Sequence, residues 1–367
     1  MIYDQEKIVL VGMEVGKACI PLAESIDELK RLAVTAGYLI IGELSQKRNK
    51  PDSKFYIGTG KVEELNILLN SLKPDKVIFD AELSPSQQRN LEDFLGLEIM
   101  DRPALIIDIF SQHAKSREGK LQVELAKLEY QLPRLRGMWG HLHRQRGGIG
   151  MREVGETQIE LDRRIIKKQL AVLKKEIEKI RKNRHLRREK RRRGNLPVIA
   201  LVGYTNAGKS TLLNALTNSD VLTQDRFFAT LDPTTRRLQL ESGKTILLTD
   251  TVGFIQKLPH QLIVAFRATL EEVSEADLLL HVVDGSHPQC ESQIHAVYTV
   301  LEELGCATKP MITVFNKIDQ SGRNGKACFA PESEQYLKKY APAVAISALT
   351  RIGLEDLTAK LTSHLGA

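Results

Sequence analysis

The segment that most constrains this chain reads Leu196-Pro-Val-Ile-Ala-Leu-Val-Gly203-Tyr204-Thr205-Asn206-Ala207-Gly208-Lys209-Ser210-Thr211-Leu-Leu-Asn214. An apolar, strand-like run ends in Gly-x-x-x-x-Gly-Lys-Ser, and a helix-like stretch follows. That is a phosphate-binding loop in its strand–loop–helix setting. Gly203 and Gly208 permit a tight loop with its backbone N–H groups turned inward, and these donors cradle phosphate oxygens together with the positive end of the next helix. Lys209 reaches the terminal phosphates, and the Ser210 hydroxyl is placed to hold Mg²⁺. The loop points to an α/β domain that binds a nucleoside triphosphate, without saying which one.

The base is read farther along. Lys309-Pro-Met-Ile-Thr-Val-Phe-Asn316-Lys317-Ile318-Asp319 is a second apolar run, ending in Asn-Lys-x-Asp. A carboxylate accepts two hydrogen bonds. Guanine offers two adjacent donors on one edge, whereas adenine presents an acceptor there. Asp319 therefore selects guanine, Asn316 braces the loop and contacts the base, and Lys317 lies along the ring face. Ser347-Ala348-Leu349 follows the next apolar run and brings backbone to the guanine carbonyl.

Between these lies Thr245-Ile-Leu-Leu-Thr-Asp250-Thr251-Val252-Gly253-Phe254. Asp250 can hold a Mg²⁺-bound water, and the Gly253 N–H can sense the γ-phosphate. The ordered set of phosphate loop, Asp-x-x-Gly, Asn-Lys-x-Asp and Ser-Ala-Leu resembles the translation-factor-type GTPases over about residues 196–364. Many such proteins carry a water-orienting glutamine after that glycine. Phe254 can neither donate nor accept a hydrogen bond, so slow intrinsic hydrolysis is expected, with water positioned from elsewhere. A threonine in the first switch must complete the Mg²⁺ shell, and Thr223, Thr230, Thr234 and Thr235 all qualify chemically. Arg236 and Arg237 read as the solvated start of the next strand.

At 367 residues the chain has room for two or three domains. Its opening Met1-Ile-Tyr-Asp-Gln-Glu is no signal sequence, and no apolar run approaches a membrane span. The four cysteines lack ligand or redox spacing and read as free thiols of a reducing cytoplasm. The net charge of +7 hints at an anionic partner.

The first hundred residues alternate strand and helix signals, predicting a mostly parallel sheet. Strands are expected at Lys7–Val11, Gly37–Ile41 and Lys76–Asp80, and helices at Ser25–Ala36 and Thr59–Leu72. Ser84-Pro85-Ser86-Gln87 carries a capping box with proline in the first turn, and Gly96 should stop that helix. Gly58-Thr59-Gly60-Lys61 imitates a phosphate loop, but Phe55 and Val62 break the pattern, leaving a helix-start turn.

In the middle, Leu121, Leu125, Leu128, Leu132 and Leu135 recur in steps of four and three, as do Ile166, Leu170, Leu173, Ile177 and Ile180. Each is one apolar helical seam, and two joined by a loop predict an antiparallel coiled-coil hairpin. The joining loop holds Arg134, Arg136, Arg144, Arg146 and Arg152 with His141 and His143, without an acid, among mobile glycines and the lone Trp139. Arginine forks beside a stacking ring suit RNA backbone and unstacked bases. A second basic run, Arg181–Arg193, follows with one acid, Glu189. Nothing resembles a base-reading module, so phosphate and shape contacts should dominate, with no DNA partner expected.

Gly147-Gly-Ile-Gly-Met-Arg-Glu-Val-Gly155-Glu-Thr-Gln158, followed by Leu161-Asp-Arg-Arg164, resembles the signature of the HflX GTPases. Gly119–Leu125, Tyr56–Lys61 and Phe228-Ala229-Thr230-Leu231-Asp232-Pro-Thr-Thr235 match the same family. The resemblance implies a cytoplasmic GTPase that binds the large ribosomal subunit and splits stalled or idle ribosomes, with hydrolysis stimulated by the ribosome. It places the glycine–arginine loop in the peptidyl-transferase region and makes Thr230 the Mg²⁺ threonine. Glu153-Val154 stand where the family usually has Gly-Pro, and the resemblance is expected to hold without the extra C-terminal domain that some relatives carry.

The resulting expectation is an α/β protein of three parts. They are an N-terminal α/β domain (1–115), a basic helical hairpin (116–194) and a P-loop G domain (195–367), monomeric in solution. Nucleotide contacts are expected from Gly203, Tyr204, Thr205, Asn206, Ala207, Gly208, Lys209, Ser210 and Thr211, and from Phe228, Ala229, Thr230, Leu231 and Asp232. The others are Asp250, Thr251, Val252, Gly253, Asn316, Lys317, Ile318, Asp319, Ser347, Ala348 and Leu349. Catalytic roles fall to Lys209, Thr230 and Gly253, metal ligation to Ser210, Thr230 and Asp250, and RNA contact to the five arginines. The competing readings are a GTP-controlled RNA-remodelling or assembly factor, and a signalling GTPase whose basic hairpin meets acidic proteins or a membrane surface.

Overall fold

Strand β1 (Lys7–Val15) is buried on both faces from Ile8 to Met13, as a central parallel strand requires. It pairs in parallel with β2 (Leu39–Arg48) and with β3 (Lys76–Phe79), and β3 pairs with β4 (Glu98–Asp101), giving the order β2-β1-β3-β4. The computed structural model describes residues 5–16, 21–135, 152–192, 196–217, 227–228, 230–257, 267–320 and 334–365. Helices α1 (Leu22–Thr35), α2 (Thr59–Leu72) and α3 (Pro85–Leu95) connect the strands, and α4 (Arg102–His113) follows β4.

Local chemistry sets these boundaries. Ser84 accepts the Gln87 N–H and Gln87 accepts the Ser84 N–H, while Gly96 ends α3 in the left-handed region at φ 69°. Gly58, not Thr59, is the cap of α2, and Lys61 spends its charge on Glu64 at 2.8 Å. Val9, Val11, Leu65, Val77, Phe79 and Ile99 form the core. Buried charge is paired: Arg102 joins Asp80 at 2.6 Å and also Glu28.

The middle segment forms α5 (Arg117–Gln131), one 3₁₀ turn (Leu132–Arg134) and the long α6 (Arg152–Arg192). Leu125, Leu170 and Leu173 are buried together, with Leu121, Leu128, Leu132, Ile166 and Ile177 packed around them. The two seams thus cover one another, and Lys174 pairs with Glu129 at 2.8 Å beside them.

The second sheet holds β5 (Val198–Gly203), β6 (Thr234–Gln239), β7 (Thr245–Asp250), β8 (Leu278–Asp284), β9 (Met311–Asn316) and β10 (Ala343–Ala345). Their order is β10-β9-β8-β5-β7-β6, with β6 antiparallel to β7 and the remaining pairs parallel. Helices α7 (Lys209–Thr217), α8 (Arg267–Glu275), α9 (Cys290–Glu303), α10 (Glu334–Lys339) and α11 (Leu354–His364) accompany it. Ile199, Leu201, Leu248, Leu280, Val314 and Leu357 are buried in its core. This is the mixed, mostly parallel P-loop architecture that the motifs predict.

The described chain gathers into two compact units. One takes the residues up to Gln112 and Lys120–Glu178. The other takes His113–Gly119 and the G-domain residues from Lys179 onward, so the segment 116–194 is divided between them. Among the described residues no helix is long and apolar enough to cross a membrane. Cys306 is a buried free thiol, as expected of it.

Candidate nucleotide-binding site

Strand β5 ends at Gly203 and α7 starts at Lys209, with Tyr204–Gly208 as the loop between them. Asn206 (φ 61°) and Gly208 (φ 93°) adopt left-handed backbone, and a side chain on Gly208 would run into the Asn316 amide. Lys209 is buried, and its Nζ donates to the Gly203 and Tyr204 carbonyls at 3.1 and 2.8 Å. Burial pushes its ammonium down to about 8, against the pull of Asp250 and helped by Lys317. A desolvated cation aimed from a loop of backbone donors gains strongly from an anion.

Three oxygens converge beside it. The Ser210 hydroxyl donates to Asp250 Oδ2 at 2.7 Å and lies 2.9 Å from Thr230 Oγ1, which donates to the same Oδ2 at 3.0 Å. Neighbouring ligands around octahedral Mg²⁺ at 2.0–2.1 Å stand about 2.9 Å apart. Asp250 Oδ1 is buried and has no hydrogen-bond partner among the described residues. Burial raises the Asp250 carboxyl, and Lys209, Ser210, Thr230 and the Thr251 N–H oppose the shift. The donor set is hard oxygen throughout, which suits Mg²⁺. Of the four candidate threonines, Thr230 reaches this point. Thr234 and Thr235 lie in β6, where Thr235 meets Thr249 at 3.0 Å, and Thr223 lies outside the described residues.

The Asp-x-x-Gly segment is stitched to the loop by its backbone. Thr205 N–H donates to the Phe254 carbonyl at 2.7 Å, Phe254 N–H donates to the Gly203 carbonyl at 3.1 Å, and Tyr204 Oη accepts the Gln256 N–H at 2.9 Å. A Cβ on Gly253 would sit 2.8 Å from Thr205 Cα and 3.1 Å from Lys209 Nζ, so only glycine fits. The Phe254 side chain is 1% exposed. Thr251 and Val252 are buried beneath the site, the Thr251 hydroxyl donating to the Leu201 carbonyl at 2.6 Å.

The base-reading loops are clamped by Asn316. Its Nδ2 donates to the Ala207 carbonyl and its Oδ1 accepts the Ala348 N–H, both at 2.9 Å. One amide thus ties the phosphate loop to Ser347-Ala348-Leu349. Asp319 Oδ1 is buried without a partner among the described residues, as a group kept for a ligand donor would be. It sits in a single turn, Ile318–Gln320, held by the Ile318 N–H to the Ile346 carbonyl at 3.3 Å. Ser347 is fully buried and Leu349 is exposed. Sequence reasoning missed Asp284, which pairs with Lys317 Nζ at 2.7 Å and pins it. Its signal was the acid closing the β8 run, which the register sets opposite Asn316.

Other expected residues are placed differently. Phe228 and Leu231 are buried. The Asp232 carboxylate accepts backbone N–H groups of Lys115 and Ser116, so it is committed away from the nucleotide. Arg134 is spent inside its own unit. Its guanidinium bonds to Gln88 Oε1, the Tyr130 and Leu83 carbonyls and Asp101 Oδ2, and stacks 3.7 Å from the Tyr130 ring centroid. That leaves it no free fork for RNA, which corrects its place among the RNA contacts. Ala229, Arg136, Arg144 and Arg146 lie outside the described residues, as does the side chain of Arg152 at the start of α6. Arg236 and Arg237 are exposed on β6.

Family models match along most of the chain: "GTP-binding GTPase N-terminal" at residues 23–111, "GTP-binding GTPase Middle Region" at 113–191 and "50S ribosome-binding GTPase" at 198–317. The solved structure of SsGBP in complex with GDP is similar at a TM-score of 0.51 and 27% identity, covering 98% of each chain. A GTPase HflX of Caldanaerobacter subterraneus is 53% identical over 93% of this chain and 77% of its own length. The GTPase HflX of Escherichia coli is 42% identical over 93% of this chain and 79% of its own. The phosphate-loop architecture and these likenesses over most of the chain agree: the chain belongs to the HflX family of GTPases, and it hydrolyses GTP to GDP and phosphate.

Proposed function

We propose that this GTPase acts in the cytoplasm, as a monomer, on the large ribosomal subunit, and that it splits or rescues stalled and idle ribosomes. The observation that carries the reading is Phe254. A fully buried phenylalanine stands where a water-orienting side chain would be, so the site needs its water positioned from outside. The likeness of residues 198–317 to a 50S ribosome-binding model supports the ribosome as that outside partner. So do the basic, glycine-rich segment around Arg136, Arg144, Arg146 and Arg152 and the basic end of α6.

In this reading Lys209 neutralises the terminal phosphates and Asp319 accepts the guanine donors. Gly253 N–H senses the γ-phosphate, and Thr230 is drawn in with it. Ser210, Thr230 and Asp250 would hold Mg²⁺, which supplies charge neutralisation for the departing phosphoryl group. The GTP-ordered switches favour docking on ribosomal RNA, and hydrolysis releases the protein. Sedimentation with purified large subunits tests this. Binding with a non-hydrolysable GTP analogue should exceed binding with GDP, and equal binding would sink the proposal. Light scattering on intact ribosomes then separates splitting from an RNA-remodelling role without it.

A further inference from the structure

The segment carrying Thr230 is tied at a second point, to the start of α5. The Asp232 carboxylate accepts the Lys115 N–H at 3.2 Å, the Ser116 N–H at 2.8 Å and the Ser116 hydroxyl. The same hydroxyl caps the helix by accepting the Gly119 N–H at 2.9 Å. Gly119 leaves the room this needs, since a Cβ there would lie 2.6 Å from Asp232 Oδ1. Asp232 is separated from Thr230 by one residue, Leu231, itself 2% exposed. Two residues of chain reach only about 7 Å. The grip on Asp232 therefore restricts the hydroxyl that stands 2.9 Å from Ser210 and 3.0 Å from Asp250.

We infer that Asp232 is a positioning residue: the capped start of α5 holds the first switch by its carboxylate and so keeps Thr230 at the metal-binding point. The inference rests on the Thr230 assignment and is independent of the ribosomal proposal. Coupling of this kind is reciprocal. Metal and γ-phosphate that fix Thr230 also fix residues 115–119, and displacement of the α5 start releases Thr230. Residues 113–119 belong to the nucleotide-binding unit, and α5 continues from Lys120 into the other. The contact thus sits on the covalent path between them.

The test uses the full chain with fluorescent GDP and a fluorescent non-hydrolysable GTP analogue, both in Mg²⁺. Ser116→Ala removes a donor to Asp232. Gly119→Ala improves helix propensity but intrudes on the carboxylate. Each should weaken analogue binding about tenfold, or about 1.4 kcal/mol, and leave GDP binding within about twofold. Ser116→Thr keeps the hydroxyl and should keep the wild-type ratio of the two affinities. Amide exchange at Lys115 and Ser116 should be slower with the analogue than with GDP, and Gly119→Ala should abolish the difference. An unchanged affinity ratio in both Ser116→Ala and Gly119→Ala, or equal losses for the two nucleotides, overturns the inference. Thr230→Ala identifies which layer failed. If it lowers the ratio while the α5 variants do not, the latch alone is wrong; if it leaves the ratio unchanged, the Thr230 assignment falls and the latch with it.

Discussion

Asn316→Ala removes a side chain that joins the Gly203–Ser210 loop to Ser347-Ala348-Leu349. Both its bonds are 2.9 Å long, and the residue is 2% exposed, so water cannot replace it at once. Truncation strands the Ala207 carbonyl and the Ala348 N–H in a buried place. Leaving a buried polar group unmade costs about 1–3 kcal/mol, so the pair amounts to about 2–6 kcal/mol. In a unit of this size about 1 kcal/mol moves the midpoint by about 2–4 °C. The G-domain transition of nucleotide-free protein should therefore fall by about 4–24 °C in calorimetry. GDP affinity should fall at least about tenfold in a fluorescence titration, because the two loops that grip opposite ends of the ligand are no longer held in register. A variant that melts within about 1 °C of wild type and binds GDP normally would refute the idea that this amide is the clamp.

Two further outcomes follow from the same geometry. In the proposed mechanism Lys209 holds phosphate as a cation, and burial lowers its free-protein value to about 8. A bound anion raises that value. GDP affinity should then be full below about pH 8 and decline above it toward tenfold per pH unit; a flat titration from pH 7 to 9 would refute the buried-cation reading. Phe254→Gln should not speed intrinsic hydrolysis, because position 254 is fully buried and held by backbone bonds to Gly203 and Thr205. It should instead lower the melting midpoint through an unpaired buried amide. A tenfold rise in single-turnover rate with GTP would contradict this.

What was legible in the sequence was local or periodic. The turn of Gly203–Ser210, the capping box at Ser84–Gln87 and the seams read at 121–135 and 166–180, of which 121–132 and 166–177 pack together, each follow from spacing that the backbone itself imposes. Asn316 was readable as a brace, but its partners Ala207 and Ala348 were not, because they lie 109 and 32 residues away. Arg134 was misread because a charge-rich loop is counted by composition. A buried carboxylate 33 residues earlier, Asp101, claims it. Asp232 was misread for the same reason: it stands in a nucleotide-binding motif, yet its partners are 116 and 117 residues upstream. Thr230 could not be picked from four threonines by chemistry, and the resemblance chose the one that the fold brings to Asp250.

The same site shows why such residues cannot be judged by folding alone. Thr205 Oγ1, Asp250 Oδ1 and Asp319 Oδ1 are buried without a partner among the described residues, and they lie in the Gly203–Ser210 loop, beside Ser210 and Thr230, and in the turn after β9. Each such atom costs stability, about 1–3 kcal/mol by the general rule for unmade buried bonds. A ligand that supplies the missing donors and cation would remove that cost. A group that binds only the folded state returns its binding free energy as stability. The G domain is then coupled to its nucleotide at both ends of the ligand. Asp232 carries that coupling one step beyond the site, to the helix start that Ser116 caps.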